Sequence, residues 1–232
     1  MNYIVIPAYQ PDNKLIKLIE KIHEKSDFHI LVIDDGSSSE CQKIFDKAKQ
    51  FATVIRHQVN QGKGQALKTA FTYIQEQNIY GTVVTADADG QHKVWDIFRT
   101  ANKASENPNK LILGVRAFSG KVPLRSRFGN SLTKALFKLQ TGVGVTDTQT
   151  GLRAFTTNLI PCMLKIEGQR YEYEMNMLLE ATKEYEILEV PIETVYINDN
   201  EASHFRPIQD GLMIYKNIFK FALSSLSSFV VD

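Results

Sequence analysis

A chain of 232 residues, 43% hydrophobic and 23% charged, can bury a full core as one large domain, alone or with an appendage. A formal net charge of +1 supplies no global field for nucleic acid, so no nucleic-acid partner is expected. The two cysteines, Cys41 and Cys162, lie far apart and outside C-x-x-C spacing, which excludes a disulfide framework and a cysteine zinc site and fits a reducing compartment.

Tyr3–Ile6 reads as a short apolar strand stopped by Pro7, with no charged leader before it, so export is not expected. After the Pro11–Asp12 turn, Leu15, Leu18, Ile19 and Ile22 recur at helical spacing. Phe28–Ile33 is a second buried strand ending in Asp34-Asp35-Gly36. Ser37 and Glu40 then suggest a capping box before the stripe Cys41, Ile44, Phe45 and Ala48. Phe51–Ile55 is a third strand. Asn60-Gln61-Gly62-Lys63-Gly64 opens a helix with Leu67, Ala70, Phe71 and Ile74 inward. The β-branched run from Thr82 is a fourth strand, closed by Asp87-Ala88-Asp89-Gly90. Strands alternating with amphipathic helices predict right-handed βαβ units and a parallel sheet covered on both faces. Ligands of such sheets sit at the carboxyl ends of the strands, so the segments at Pro7–Tyr9, Asp34–Gly36, Gly62–Gly64 and Asp87–Asp89 should converge on one crevice.

The second half is less regular. Val94–Ala101 reads as a helix and Leu111–Val115 as a strand, and Phe128, Leu132, Leu136 and Leu139 mark another helix. Asp147–Gly151 is a polar loop before a short strand at Leu152–Phe155. Arg170–Ala181 is a helix with Met175, Leu178 and Leu179 inward, and strands follow at Ile187–Val190 and Thr194–Ile197. From Leu212 an apolar face (Tyr215, Ile218, Phe219, Ala222, Leu223, Leu226) forms a C-terminal amphipathic helix. It either packs on its own domain or lies in a membrane interface, with a longer natural chain continuing into membrane or meeting a membrane-spanning partner.

Two features carry chemistry. Asp87 and Asp89, two apart, project to one side of an extended backbone. They form either a solvated turn or a site for Mg2+ or Mn2+, hard cations that take carboxylate oxygens and leave positions for phosphate. From Asn107 to Thr146 there is no acidic residue, while Lys110, Arg116, Lys121, Arg125, Arg127, Lys134 and Lys138 all occur. That segment faces either an anion or solvent.

Pro7-Ala8-Tyr9, Asp34-Asp35-Gly36-Ser37, Asn60-Gln61-Gly62-Lys63-Gly64, Asp87-Ala88-Asp89-Gly90-Gln91-His92 and Asp147-Thr148-Gln149-Thr150-Gly151-Leu152-Arg153 follow one another in an order that resembles the family 2 inverting glycosyltransferases of GT-A fold. Their dolichyl- or polyprenyl-phosphate hexose synthase branch is the most similar, over roughly Tyr3 to Gly211. The resemblance implies an α/β, Rossmann-like, mostly parallel sheet with an irregular acceptor-side half. It divides the chain into a nucleotide-sugar half (1–106), an acceptor half (107–211) and the tail 212–232.

It further implies that Pro7, Ala8 and Tyr9 border the nucleobase, Asp35 contacts the nucleoside, and Lys63 lies near the nucleotide. Asp87 closes over ribose and diphosphate, and Asp87, Asp89 and Gln91 hold the metal. Arg116, Arg125, Arg127, Arg206 and Ser131 receive a lipid phosphate, and Asp147 is the acid of the acceptor loop, so Asp89, Asp147 and Arg127 carry catalysis. The implied reaction moves a hexose from a UDP- or GDP-sugar to a polyprenyl phosphate at the cytoplasmic face of a membrane. One departure stands out: Tyr9-Gln10-Pro11 replaces the Tyr-Asn-Glu common in the family. A lipid phosphate is already anionic and needs cationic docking more than a base, so Asp147 can be a base or an orienting group. His92 is expected to hydrogen-bond near the metal loop, and His23, His29 and His57 need no function. Rival readings are a glycosyltransferase acting on a sugar hydroxyl, a sugar nucleotidyltransferase and a non-catalytic nucleotide-binding module that recruits a membrane partner.

Overall fold

The computed structural model describes residues 1–116 and 124–193, with backbone alone over 124–132. Its strands are β1 (Tyr3–Ala8), β2 (His29–Asp34), β3 (Thr53–Arg56), β4 (Thr82–Thr85), β5 (Lys110–Arg116), β6 (Arg153–Thr156) and β7 (Glu186–Ile192). The helices are α1 (Asn13–His23), α2 (Gln42–Ala48), α3 (Lys63–Glu76), α4 (Val94–Glu106), α5 (Leu124–Thr141), α6 (Ile160–Lys165) and α7 (Glu172–Glu184). One sheet runs in the order β3-β2-β1-β4-β6-β5-β7. The pairs β3-β2, β2-β1 and β1-β4 are parallel, β6 is antiparallel to both β4 and β5, and β7 is parallel to β5. The α/β class and mostly parallel sheet expected from the sequence are present.

Alternation along the strands divides the core between the two faces. Tyr3, Val5, Leu31, Ile33, Val83, Leu111 and Leu113 pack with α3, α6 and α7 on one face. Ile4, Ile6, Ile30, Val32, Val84 and Ile112 pack with α1, α2 and α4 on the other. In α1 the Asp12 carboxylate caps the first turn by accepting from the Lys14 amide at 2.7 Å, and Leu15, Ile16, Leu18, Ile19 and Ile22 are buried.

Several local expectations are corrected. Pro7 does not stop β1, which pairs with β2 through Ala8. Val5 faces β4, its carbonyl accepting from the Ala86 amide. Pro7, two residues on, faces the same way, but pairing with β4 has ended at Thr85, so the missing proline N–H interrupts no ladder. β4 likewise ends at Thr85. Asp87 and Asp89 therefore lie in the turn beyond it, which Gly90 completes at φ +75°, rather than on one face of an extended strand. The Ser37–Glu40 capping box does not form, because a 3-10 turn at Ser39–Cys41 delays α2 and the Ser37 hydroxyl accepts from the Gln10 amide instead. On α5 it is Phe137, fully buried, that enters the core, while Leu139 is 85% exposed. α6 was not anticipated; it is one short turn and a half with a proline at its start.

The Thr194–Ile197 strand, the Ser203–Arg206 loop and the helix from Leu212 lie outside the described residues. Among the described residues no helix is long and apolar enough to cross a membrane.

Candidate active site

The topology brings the chemistry to one edge of the sheet. β1, β2, β3, β4 and β5 all point the same way, so Ala8, Asp34, Arg56, Thr85 and Arg116, which end them, lie at one edge. Antiparallel β6 begins there, and with it the Asp147–Leu152 loop that leads into Arg153. Thr85 donates its hydroxyl to the Gly151 carbonyl at 2.8 Å, and Gly114 donates its amide to the Leu152 carbonyl at 2.8 Å. The loop is thereby clamped between β4 and β5.

At the end of β2, Asp35 is only 3% exposed and its carboxylate is saturated. One oxygen pairs with His57 Nδ1 at 2.8 Å and accepts the Gln61 amide at 2.9 Å. The other accepts Asn60 Nδ2 at 2.9 Å and the Gly62 amide at 2.8 Å. Asp35 thus braces the loop that starts α3, and His57, whose Nε2 lies 3.0 Å from the Thr69 hydroxyl, is part of that brace rather than an idle chain end. A carboxylate with four internal partners has little left for a nucleoside. Ala8 is buried among the core of β1, so it can border a base only through its backbone, whereas Pro7 is half-buried and Tyr9 is exposed. Gln10 takes a left-handed φ of +49°, held by Ser38, which donates to its side-chain carbonyl at 3.0 Å, and by the Ser37 bond to its amide. Asparagine fits such a position with less strain, and here the two serine bonds hold a glutamine in it.

Lys63, on the first turn of α3, lies between two carboxylates: Asp87 Oδ1 at 2.7 Å and Glu174 Oε2 at 2.9 Å. Burial alone would depress its ammonium, but the two acids hold it well above its ordinary value. The Asp87 carboxylate, which burial would raise, is held well below the usual carboxylate range by Lys63 and by His92, whose Nε2 is 3.2 Å away. His92 is therefore where the sequence put it. Asp89 is pushed up, by burial and then by the Asp87 charge, while its Oδ1 accepts the Gln91 amide at 2.9 Å. Asp87 also rests on the Asp147–Leu152 loop: a Cβ at Gly151 would lie 2.4 Å from Asp87 Oδ2.

Among the described residues no three His, Cys, Asp or Glu side chains gather into a ready-made metal cage. The donors at this corner still fit a hard divalent cation, since they are carboxylate oxygens two residues apart in one turn, and Mg2+ sites commonly combine one or two carboxylates with substrate phosphates.

Earlier in the same loop, Asp147 is fully buried and grips Arg116 with both oxygens, Nε to Oδ2 at 2.5 Å and Nη2 to Oδ1 at 3.0 Å. The side chains of Arg125, Arg127, Ser131 and Arg206 lie outside the described residues. Two groups the sequence reading missed sit between these clusters. Arg153 is 1% exposed; its Nε donates to the Thr150 carbonyl at 3.0 Å and its Nη1 to the Glu174 carbonyl. Burial depresses its guanidinium, and Glu174, Asp147 and Asp87 oppose that shift. The only signal for Arg153 was its place at the end of the Asp147 motif, and Glu174 carried none.

Gly64 fixes how closely α3 meets α7, since a Cβ there would stand 2.5 Å from the Tyr173 Cβ and 2.9 Å from the Arg170 carbonyl. Gly64→Ala is expected to destabilise the fold by about 1–3 kcal/mol, read from urea midpoints, because the two helices must part.

The sequence pattern of glycosyl transferase family 2 matches residues 3–162. The chain is 28% identical over 215 residues to the UDP-N-acetylglucosamine–dolichyl-phosphate N-acetylglucosaminyltransferase of Methanococcus voltae, covering 84% of this chain and 85% of that protein. It is 23% identical over 201 residues to the polyprenol monophosphomannose synthase of Mycolicibacterium smegmatis, covering 82% and 75%. Among solved structures it is similar to glucosyl-3-phosphoglycerate synthase from Mycobacterium tuberculosis in complex with Mn2+, UDP and phosphoglyceric acid. The TM-score is 0.69 at 17% identity, over 97% of this chain and 78% of that one, which establishes a shared GT-A fold. The match across most of the chain, together with the acid and arginine clusters at one sheet edge, makes this protein a member of glycosyl transferase family 2 and a glycosyltransferase.

Proposed function

We propose that the protein transfers a hexose, with inversion, from a UDP- or GDP-sugar to a polyprenyl phosphate at the cytoplasmic face of a membrane. The observation that carries this reading is the shared wall at Gly151. It sets the Asp87/Asp89 corner directly against the loop whose Asp147 orients Arg116. An acid corner suited to a metal-bound diphosphate and an arginine suited to a phosphate then adjoin the same Asp147–Leu152 loop. Relatives acting on dolichyl phosphate and polyprenol phosphate support the lipid acceptor.

In this reading Asp87, Asp89 and Gln91 hold Mg2+ or Mn2+ against the donor diphosphate, and Lys63, shared between Asp87 and Glu174, offsets part of the acids' charge. The cation, when bound, neutralises charge that grows on the departing diphosphate. Arg116, its Nε and Nη2 held by Asp147, turns its remaining Nη hydrogens toward the lipid phosphate, with Arg125, Arg127, Ser131 and Arg206 completing that pocket as the family resemblance implies. A lipid phosphate oxygen then forms a bond to the anomeric carbon as the bond from that carbon to the diphosphate oxygen breaks on the opposite face. No proton needs removing from the nucleophile, so Asp147 serves Arg116 and is not required as a base.

The test is incubation with a panel of UDP- and GDP-hexoses, Mn2+ and a short polyprenyl phosphate, followed by mass spectrometry. The expected result is a lipid heavier by one hexose. Transfer only to sugar hydroxyls in a parallel acceptor panel would favour the polysaccharide reading. Nucleotide binding without any product would favour a non-catalytic module.

A further inference from the structure

Glu174 lies on the first turn of α7, outside the motifs that carry the family resemblance, yet it shares the Lys63 ammonium with Asp87. Its second oxygen, Oε1, is buried and has no hydrogen-bond partner among the described residues, and the same is true of Arg153 Nη2. The charge of Glu174 is thus committed to this corner and to nothing else that is described. Asp87, Asp89 and Glu174 bring three negative charges, and Lys63 and Arg153 bring two positive ones. Asp147 is matched separately by Arg116, and His92 adds charge only when protonated. The corner therefore stands one negative charge from neutrality, and without Glu174 it would balance.

We infer that Glu174 sets the cation demand of the donor site: by sharing the one Lys63 ammonium with Asp87, it leaves the Asp87/Asp89 corner with the net negative charge that attracts a divalent ion. This rests on the reading of that corner as the metal–diphosphate site. Glu174 is a positioning residue here, acting through Lys63 and through its field. Its charge has opposite consequences for the two ligands. It favours the cation, and it disfavours a diphosphate that arrives without one.

The experiment measures binding rather than turnover. Mn2+ is titrated by electron paramagnetic resonance into protein saturated with UDP or GDP, and the two nucleotides are titrated calorimetrically in the presence of a chelator. Glu174→Gln is expected to weaken Mn2+ binding on the order of tenfold. The same variant should bind metal-free diphosphate as tightly as the wild type, or more tightly. Lys63→Met should shift both in the reverse sense, with tighter Mn2+ and weaker metal-free diphosphate. If Glu174→Gln weakens both ligands together, or leaves Mn2+ affinity unchanged, the inference is overturned, since a merely structural role gives no opposed shifts. If that variant does not fold, as judged by its melting curve, Lys63→Met decides alone, and no gain in Mn2+ affinity overturns the inference. Wild-type protein that binds neither nucleotide with Mn2+ present would remove the functional reading itself, a result distinct from any of these.

Discussion

Asp89→Asn is expected to lower turnover by about 10²-fold or more while the protein stays folded, because it removes a preorganised group acting on charge at the leaving diphosphate. Its stability should be unchanged or slightly higher. The Asp89 carboxyl is pushed above its ordinary range by burial and by the Asp87 charge, so its ionised form is held at a cost that the amide avoids. The new Oδ1 can still accept the Gln91 amide. Steady-state turnover beside a thermal melt checks both parts. Wild-type turnover would eliminate the proposed metal role, whereas a collapsed melting curve would show that Asp89 holds the turn rather than a ligand.

The second large effect belongs to Arg116 and Asp147. Removing one partner of a buried charged pair costs roughly 3–5 kcal/mol, and the solvent that reaches the Arg116 guanidinium reduces that figure. Asp147→Asn and Arg116→Lys are each expected to lower kcat/KM for a polyprenyl phosphate on the order of 10²-fold. The double variant should lose little more than either alone, because both remove the same oriented fork. A catalytic base at Asp147 would behave differently. Its loss would fall on kcat, and the Arg116→Lys penalty would add in full.

The two halves of the chain were legible to different degrees, for a physical reason. In β1 to β4 each strand is a short apolar run and each helix has a 3.6-residue stripe, so Leu15, Ile19, Phe45, Leu67 and Phe71 could be placed inward from spacing alone. Beyond Glu106 the signal weakens. A four-residue strand such as β6 carries no mark of direction, and its antiparallel insertion between β4 and β5 depends on neighbours far away in sequence. Leu139 satisfied the helical period and still faces outward, because packing selected Phe137.

What the sequence determined by itself was the βαβ frame, the convergence of Pro7–Tyr9, Gly62–Gly64 and Asp87–Asp89 at strand ends, and the basic character of the stretch holding Arg116. Those are local properties, written in period, turn residues and charge. Tertiary structure alone decided how the side chains pair: Asp35 with His57 and the Gln61 and Gly62 amides, Lys63 with both Asp87 and Glu174, and Asp147 with Arg116. Each of these joins residues from separate strands or helices. Which carboxylate a buried cation meets depends on how those elements stack, and no spacing along the chain encodes that.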